Sequence, residues 1–270
     1  MAKCFNLHDP FESRRLVIQE ELRTALGRVA GVPHTLLQEL LSEQNSGLYA
    51  LLVMLAGDAS LAREEQSLSA AVGTELLMLA IKGQEAMEEG ANAARGKLLA
   101  GSFLQTEALS LCADLPSGVV QSFAELCRQL QQEKTRRREH QVWPEMTERA
   151  YLERAYSRSA LFAATCGKVG ARLGPATSEV EEALTAYGYS LGMALQVQED
   201  LRLVRALPVR AGRVVMKAQA AGGVPLPMGS ARAVMRSYVN KANKSLSVLP
   251  PSLAKCLLLD LTTRLFEQSE

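Results

Sequence analysis

Apolar residues recur at the spacing of an α-helix along nearly the whole chain, and this pattern limits the fold more than any other feature. The two clearest stripes are Leu68, Val72, Leu76, Leu79 and Ala80, and Leu184, Tyr187, Leu191 and Leu195. Such spacing gathers apolar side chains on one face of a helix. Alternation of the kind that marks strands is almost absent, and the best candidate strand, around Val214 and Val215, is short. The sequence therefore predicts an all-α fold.

The helices are expected to form a single domain that spans residues 1–270, because 47% of the residues are apolar and can fill one sizeable core. Ser178 and Glu181 have the spacing of a capping box, which predicts a helix that continues past Asp200. Ser252 follows two prolines and predicts the start of a last helix. The buried stripe expected for that helix is Leu253, Leu257, Leu261 and Leu265. A breaker-rich loop is predicted around 208–229.

Composition excludes several classes of partner and site. The formal net charge is +1, so the chain carries no global field for nucleic acid or for an acidic membrane surface. Its five cysteines are scattered, without a Cys-x-x-Cys pair, which argues against a zinc site or a disulfide framework and favours a reducing, cytoplasmic location. No segment reaches about 18 uncharged apolar residues, so no transmembrane helix is predicted.

Two segments in the second half of the chain resemble the trans-isoprenyl diphosphate synthases. They are Tyr-Ser-Arg-Ser-Ala-Leu-Phe at 156–162 and Tyr-Gly-Tyr-Ser-Leu-Gly-Met-Ala-Leu-Gln at 187–196. Their order and spacing are similar to those of that family, in which the second segment leads into an aspartate-rich DDxxD motif. The resemblance implies a helical bundle around a central cavity. It also implies prenyl transfer from an allylic diphosphate to isopentenyl diphosphate, assisted by Mg²⁺ that two DDxxD motifs hold.

The pentad that aligns with the first motif is Glu85-Ala86-Met87-Glu88-Glu89. Carboxylates at i and i+4 share one face of a helix and can bind one hard cation. Glu85 and Glu89 keep this spacing, whereas Ala86 removes one carboxylate. The alternative interpretation is an ordinary solvated acidic helix end.

The pentad that aligns with the second motif is Glu199-Asp200-Leu201-Arg202-Leu203. Glu199 and Asp200 remain acidic, but Leu203 replaces the closing aspartate and offers no oxygen ligand. The metal ligands that the resemblance implies are therefore Glu85, Glu89, Glu199 and Asp200. With so few carboxylates left, we expect magnesium binding to be possible but weakened.

The basic residues that the family uses for its substrates are also reduced. The segment that aligns with its Gly-Lys-Arg-x-Arg-Pro motif is residues 45–50, which contain no basic side chain. The resemblance leaves Arg95, Lys97, Arg158 and Gln196 as candidates to bind one diphosphate. The predicted cavity-lining residues are Ala80, Ile81, Phe103 and Phe162, for which plain core packing is the alternative.

Three functions follow as hypotheses, and no catalytic residue is assigned. The first is a non-catalytic or regulatory subunit, in a homodimer or in a heterodimer with an active prenyl synthase. The second is an enzyme with altered metal ligands, of prenyltransferase or terpene-synthase type, that acts on one allylic prenyl diphosphate. The third is a carrier that holds an apolar ligand in the cavity.

Overall fold

The computed structural model describes residues 9–28, 47–85, 91–139, 148–206 and 228–266, and all these segments are dominated by helices. The α-helices are α1 (Pro10–Arg28), α2 (Leu48–Ala59), α3 (Glu64–Glu85), α4 (Ala91–Cys112), α5 (Ser117–Glu139), α6 (Glu148–Ala155), α7 (Leu161–Leu173), α8 (Ser178–Ala206), α9 (Met228–Ser245) and α10 (Leu253–Phe266). A π-helical turn (Tyr156–Ala160) joins α6 to α7, and a 3₁₀ turn (Leu246–Val248) follows α9.

The prediction of an all-α fold is confirmed, since the described residues contain no strand. Both apolar stripes lie in single helices, and their members are buried except for Leu68, which is half-buried. The proposed strand around Val214 and the loop around 208–229 fall almost wholly outside the described residues.

The centre of the bundle is formed by α2, α3, α7 and α8, and its closest packing is between α7 and α8. A Cβ atom added to Gly188 would lie 2.2 Å from the carbonyl oxygen of Ala163. A Cβ atom on Gly167 would lie 2.1 Å from the carbonyl oxygen of Leu184. Real side chains do not approach a backbone this closely, so the two helices can touch only because these positions are glycines.

The start of α8 differs from the predicted capping box. The backbone N–H of Val180 donates to Oγ1 of Thr177 at 3.3 Å, so Thr177 caps the helix and Ser178 is its first residue. Glu181 accepts instead from Arg172, at 2.8 Å in an ion pair that ties α7 to α8. The prediction was wrong by one residue because threonine and serine can both cap a helix and the two stand side by side here.

The last helix begins where the sequence places it. Oγ of Ser252 accepts from the backbone N–H of Lys255 at 3.2 Å, as an N-cap does. Of the expected stripe, Leu257 and Leu261 are buried and Leu265 is half-buried. Leu253 is 72% exposed, because the first turn of α10 projects beyond the core.

In the part of the chain that the structure describes, no helix has both the length and the apolar character needed to cross a membrane.

Candidate functional site

The π-helical turn between α6 and α7 decides which side chains of this long helical segment reach α8. In a regular α-helix, Tyr151 and Ser159 would point about 80° apart, because they are eight residues apart at about 100° per residue. A π turn contains one extra residue, which brings the two side chains to within about 20° of each other. Tyr151 and Ser159 therefore share a face, and that face meets α8.

Four polar side chains form a hydrogen-bonded chain at this contact. Oγ of Ser159 donates to Oε1 of Gln196 at 2.7 Å, and Nε2 of Gln196 donates to Oδ1 of Asp200 at 3.0 Å. The hydroxyl of Tyr151 donates to Oδ2 of Asp200 at 2.9 Å. Asp200 is only 3% exposed. Both oxygens of this carboxylate are therefore engaged by side chains of the protein. We call these four residues the Asp200 network.

Burial and charge act together on the phenol of the network. The pKa of Tyr151 is raised well above its ordinary value, first by burial and then by the carboxylate of Asp200, to which it donates. The phenol therefore remains a donor at every physiological pH. Tyr151 thus keeps the proton that it donates to Asp200.

The register of α8 places the acidic residues of the second pentad differently. Gln196 and Asp200 are one turn apart and both point into the bundle. Glu199 is the neighbour of Asp200 but lies on another face and is half-exposed. Of the two acids of this pentad, Glu199 is therefore accessible to solvent and Asp200 is not.

A second buried acid supports the start of α2. Gly47 precedes this helix with φ at +88°, a conformation that favours glycine, and supplies no side-chain cap. Oε1 of Glu75 in α3 accepts instead from the backbone N–H of Ala50 at 3.1 Å. Glu75 therefore caps α2 from a neighbouring helix and fixes the beginning of α2 against α3.

Tyr49, in the first turn of α2, connects this cap to the Asp200 network. Its ring packs edge to face on Phe162 with 4.8 Å between centroids. Burial raises the pKa of Tyr49, while a hydrogen bond with Ser159 acts in the opposite direction. The start of α2 and the middle of α8 are thus joined through side chains of α7 and the π turn.

The sequence singled out Gln196 as a candidate diphosphate ligand and Asp200 as a candidate metal ligand, roles that stay predictions, and it did not single out Tyr151 or Glu75 as functional residues. Glu75 carries a usable signal, because it is a lone acid in a run of otherwise apolar and small residues. Tyr151 carries none, because its reach to Asp200 depends on the extra residue of the π turn.

The other predicted ligands lie partly beyond what the structure describes. The side chains of Glu85, Arg95, Lys97 and Arg158 fall outside the described residues, and so does the whole of Glu89. Their assignment to metal or diphosphate stays a prediction.

The four predicted cavity residues occupy different surroundings. Ala80 and Phe162 are buried, and Ile81 is half-buried. Phe103 is 49% exposed, on the side of α4 that faces away from the core. A role for these residues in lining a cavity also stays a prediction.

The described carboxylates do not by themselves fit a magnesium site. Within the described ranges, no group of three or more histidine, cysteine, aspartate or glutamate residues is arranged to hold a metal ion. Asp200 already accepts from two side chains, which leaves Glu199 as the accessible oxygen ligand of this pentad. A hard cation needs more oxygen ligands than one carboxylate provides.

Comparison with known proteins gives a family match and one relative in sequence. The family model for polyprenyl synthetase matches residues 83–231, just over half of the chain. A geranylgeranyl diphosphate synthase from Methanosarcina mazei is 27% identical over 112 residues. That alignment covers 39% of this chain and 35% of the synthase, so the chain spans about a third of the length of this relative.

Solved structures extend the similarity over nearly the whole fold. A geranylgeranyl pyrophosphate synthetase from Geoglobus acetivorans has a TM-score of 0.76 at 18% identity, with 96% of this chain and 100% of that chain covered. A polyprenyl synthase from Caulobacter crescentus, complexed with calcium and isoprenyl diphosphate, has a TM-score of 0.78 at 17% identity, with 93% and 94% covered. At such identities the likeness establishes the fold.

Proposed function

Because this chain belongs to the polyprenyl synthetase family, we propose that it is a non-catalytic or regulatory subunit that pairs with a competent prenyl diphosphate synthase. The subunit retains the bundle of the family and lacks much of the metal and diphosphate chemistry. The state of Asp200 is the observation that carries the proposal.

Both carboxylate oxygens of Asp200 already accept hydrogen bonds from side chains of the protein. To bind a metal ion, its carboxylate would have to give up the donors Tyr151 and Gln196. A hydrogen bond to a charged group contributes about 1.5–3 kcal/mol, so this exchange opposes metal binding. Leu203 supplies no oxygen either, which supports an eroded second motif.

Three exposed apolar side chains on the outer side of α4 support pairing with another subunit. Leu99, Phe103 and Leu109 are 62%, 49% and 45% exposed and fall within about 120° around the helix. Ala100 and Leu104 lie outside this arc and are buried in the core. We call the exposed side the outer face of α4. The same arc carries the exposed polar residues Ser102, Thr106 and Ser110, so this side combines apolar and polar side chains, as non-obligate interfaces do.

The proposal is tested by mixing this chain with a polyprenyl synthetase of the same source that has both aspartate-rich motifs intact. We expect the two to co-purify, and the mixture to differ from the competent synthase alone in rate or in product chain length. A variant of this chain with Leu99→Glu and Phe103→Glu should have no such effect. Unchanged kinetics at a molar excess of this chain would overturn the proposal.

The alternative is an enzyme with altered metal ligands that acts on a single allylic prenyl diphosphate. The specific observation in its favour is that Ser159 and Gln196 are held in fixed orientation while Glu199 remains open to solvent. Magnesium, if bound, would neutralise the charge of the departing diphosphate. Glu199, Glu85 and Glu89 would be the residues to hold it.

This alternative has its own experiment. The purified chain is incubated with geranyl, farnesyl or geranylgeranyl diphosphate and Mg²⁺, and released diphosphate is measured. Turnover that Glu199→Gln abolishes and Glu182→Gln leaves unchanged would favour the alternative, since Glu182 is an exposed acid on the same helix, far from the network. Silence with all three substrates would exclude it.

A further inference from the structure

Helices α5 and α7 leave a groove between them, about 610 Å³ in volume, that the proposed function does not use. Its walls include Gln121, Glu125 and Arg128 of α5 and Leu161, Thr165 and Lys168 of α7. Neighbouring helices usually close such a space by interlocking their side chains. We call it the α5–α7 groove.

The sequence of α7 explains why the groove stays open. One face of this helix packs on the backbone of α8 through Gly167, and another packs on α2 through Gly170. These close contacts hold α7 away from α5. The face toward α5 carries the small residues Ala164 and Thr165, which are too short to fill the space.

The charged groups of the groove are unequally satisfied. Glu125 accepts from Nε and Nη2 of Arg128 at 2.9 and 2.6 Å, and also from the amide of Gln129. Arg172 is bound to Glu181, to Oγ of Ser122 and to the carbonyl of Gly118. Glu125 and Arg172 therefore have partners within the protein.

Lys168 is different: the residue is half-buried, and its ammonium makes neither a hydrogen bond nor an ion pair with any described residue. The described carboxylate on which Lys168 acts through its charge is Glu125. The pKa of Glu125 is lowered first by hydrogen bonds from Arg128 and Gln129, and Lys168 is the smallest of the causes. Three N–H donors of Lys168 therefore remain available inside a concave site.

We propose that the α5–α7 groove binds an amphiphilic phosphate-type anion. Lys168 receives the anionic group, and the remaining N–H groups of Arg128 assist it. The apolar part of the ligand lies on Ala124 and Ala164, two lining residues of the same groove that keep exposed surface. A cationic ligand would be repelled by Lys168 and Arg128, and a purely apolar ligand would leave their donors without partners.

The Lys168 end of the groove lies away from the Asp200 network, whereas the other end reaches Tyr156 in the π turn. Lys168 follows Ser159 by nine residues, which corresponds to about 14 Å along a helix at 1.5 Å per residue. An anion at Lys168 would therefore occupy a different place from one held near Gln196, and the two can be distinguished by mapping.

The test is a titration of the ¹⁵N-labelled full chain with phenyl phosphate in the absence of Mg²⁺, followed by backbone amide shifts. We expect saturable shifts in residues 121–129 and 161–172, and binding roughly tenfold weaker or worse in Lys168→Gln. Lys168→Arg should retain most of the affinity. Lys244→Gln, which removes one exposed positive charge on α9, should match the unmodified chain.

Three results would overturn the proposal. The first is equal affinity in Lys168→Gln and Lys244→Gln, and the second is a set of shifts centred on Ser159 and Gln196 instead of the groove. The third is the absence of saturation at millimolar phenyl phosphate. Inorganic phosphate provides the remaining comparison: weaker binding than phenyl phosphate is expected, and equal binding would overturn the apolar half of the proposal.

Discussion

Tyr151 is the buried end of the Asp200 network, and its hydroxyl gives one carboxylate oxygen a donor that water cannot replace. Tyr151→Phe removes this donor and keeps the ring. We expect the free energy of unfolding to fall by about 1–3 kcal/mol, because Asp200 would keep its burial and lose part of its solvation. Urea unfolding followed by circular dichroism measures the change.

The matched control is Tyr156→Phe in the π turn. Tyr156 is partly exposed, and its ring contact with Tyr189 at 6.0 Å does not depend on the hydroxyl. This variant should change stability by less than about 0.5 kcal/mol. Equal losses in the two variants would mean that the Asp200 network does not depend on Tyr151.

Single residues also mark where sequence reasoning reaches its limit. Gln196 and Asp200 were found because they stand in a recognisable order along one helix. Their donors Ser159 and Tyr151 belong to another helical segment, and the π turn that aligns the two is not encoded in any periodicity we can read. The sequence thus predicts which acids are present, while tertiary contacts decide whether they are available to a ligand.

At the scale of helices, the contact between α7 and α8 rests on backbones that touch. Gly188→Ala places a methyl group 2.2 Å from the carbonyl oxygen of Ala163, so the helices must separate. We expect a loss of about 1–3 kcal/mol in the free energy of unfolding, as for overpacked cores, measured by urea unfolding.

Gly27→Ala is the control for this change, since it is also a helical glycine. A Cβ atom there meets nothing within 4 Å. Its expected effect has the opposite sign, a gain of up to about 1 kcal/mol from helix propensity. Destabilisation of similar size in both variants would show that close approach is not the cause.

The end of α2 offers a stabilising change. Leu61 has φ at +57°, a left-handed conformation, and is 82% exposed. The N–H of Leu61 donates to Asp58 O at 3.2 Å and that of Ala62 to Gly57 O at 2.9 Å, the pattern of a Schellman motif, which glycine suits best. Leu61→Gly should therefore stabilise the fold by about 0.5–1 kcal/mol in urea unfolding.

The same substitution at Leu253 is expected to act in the reverse direction. Leu253 is also exposed but begins α10 with helical backbone, where glycine costs about 0.5–1 kcal/mol. If both variants lost stability, strain at Leu61 would not be the reason.

At the scale of the whole molecule, the pattern of apolar residues was enough to predict an all-α fold, because helical spacing persists through most of the chain. The arrangement of the helices needed the resemblance, since many bundles share this spacing. The capping residue of α8 and the exposure of Leu253 were missed because each depends on where the helix ends lie relative to the core. The spacing of apolar residues within one helix can be read from the sequence, whereas the position of a helix end depends on the other helices that pack against it.

The outer face of α4 gives the prediction that concerns the assembly. Leu99→Glu with Phe103→Glu places two carboxylates on this face without touching the buried side of the helix. If another subunit covers the face, burying these charges would cost several kcal/mol, and association should be lost. Because both positions are exposed in the single chain, its free energy of unfolding should change by less than about 1 kcal/mol.

Sedimentation equilibrium of the unmodified chain and of this variant, alone and with the competent synthase, measures association directly. Leu253→Glu serves as the control, because it adds a carboxylate at another exposed apolar position, on α10. We expect it to associate like the unmodified chain. Leu99 and Phe103 contribute to association only if another subunit covers them. An association constant that the double variant leaves unchanged would therefore place the interface elsewhere on the bundle.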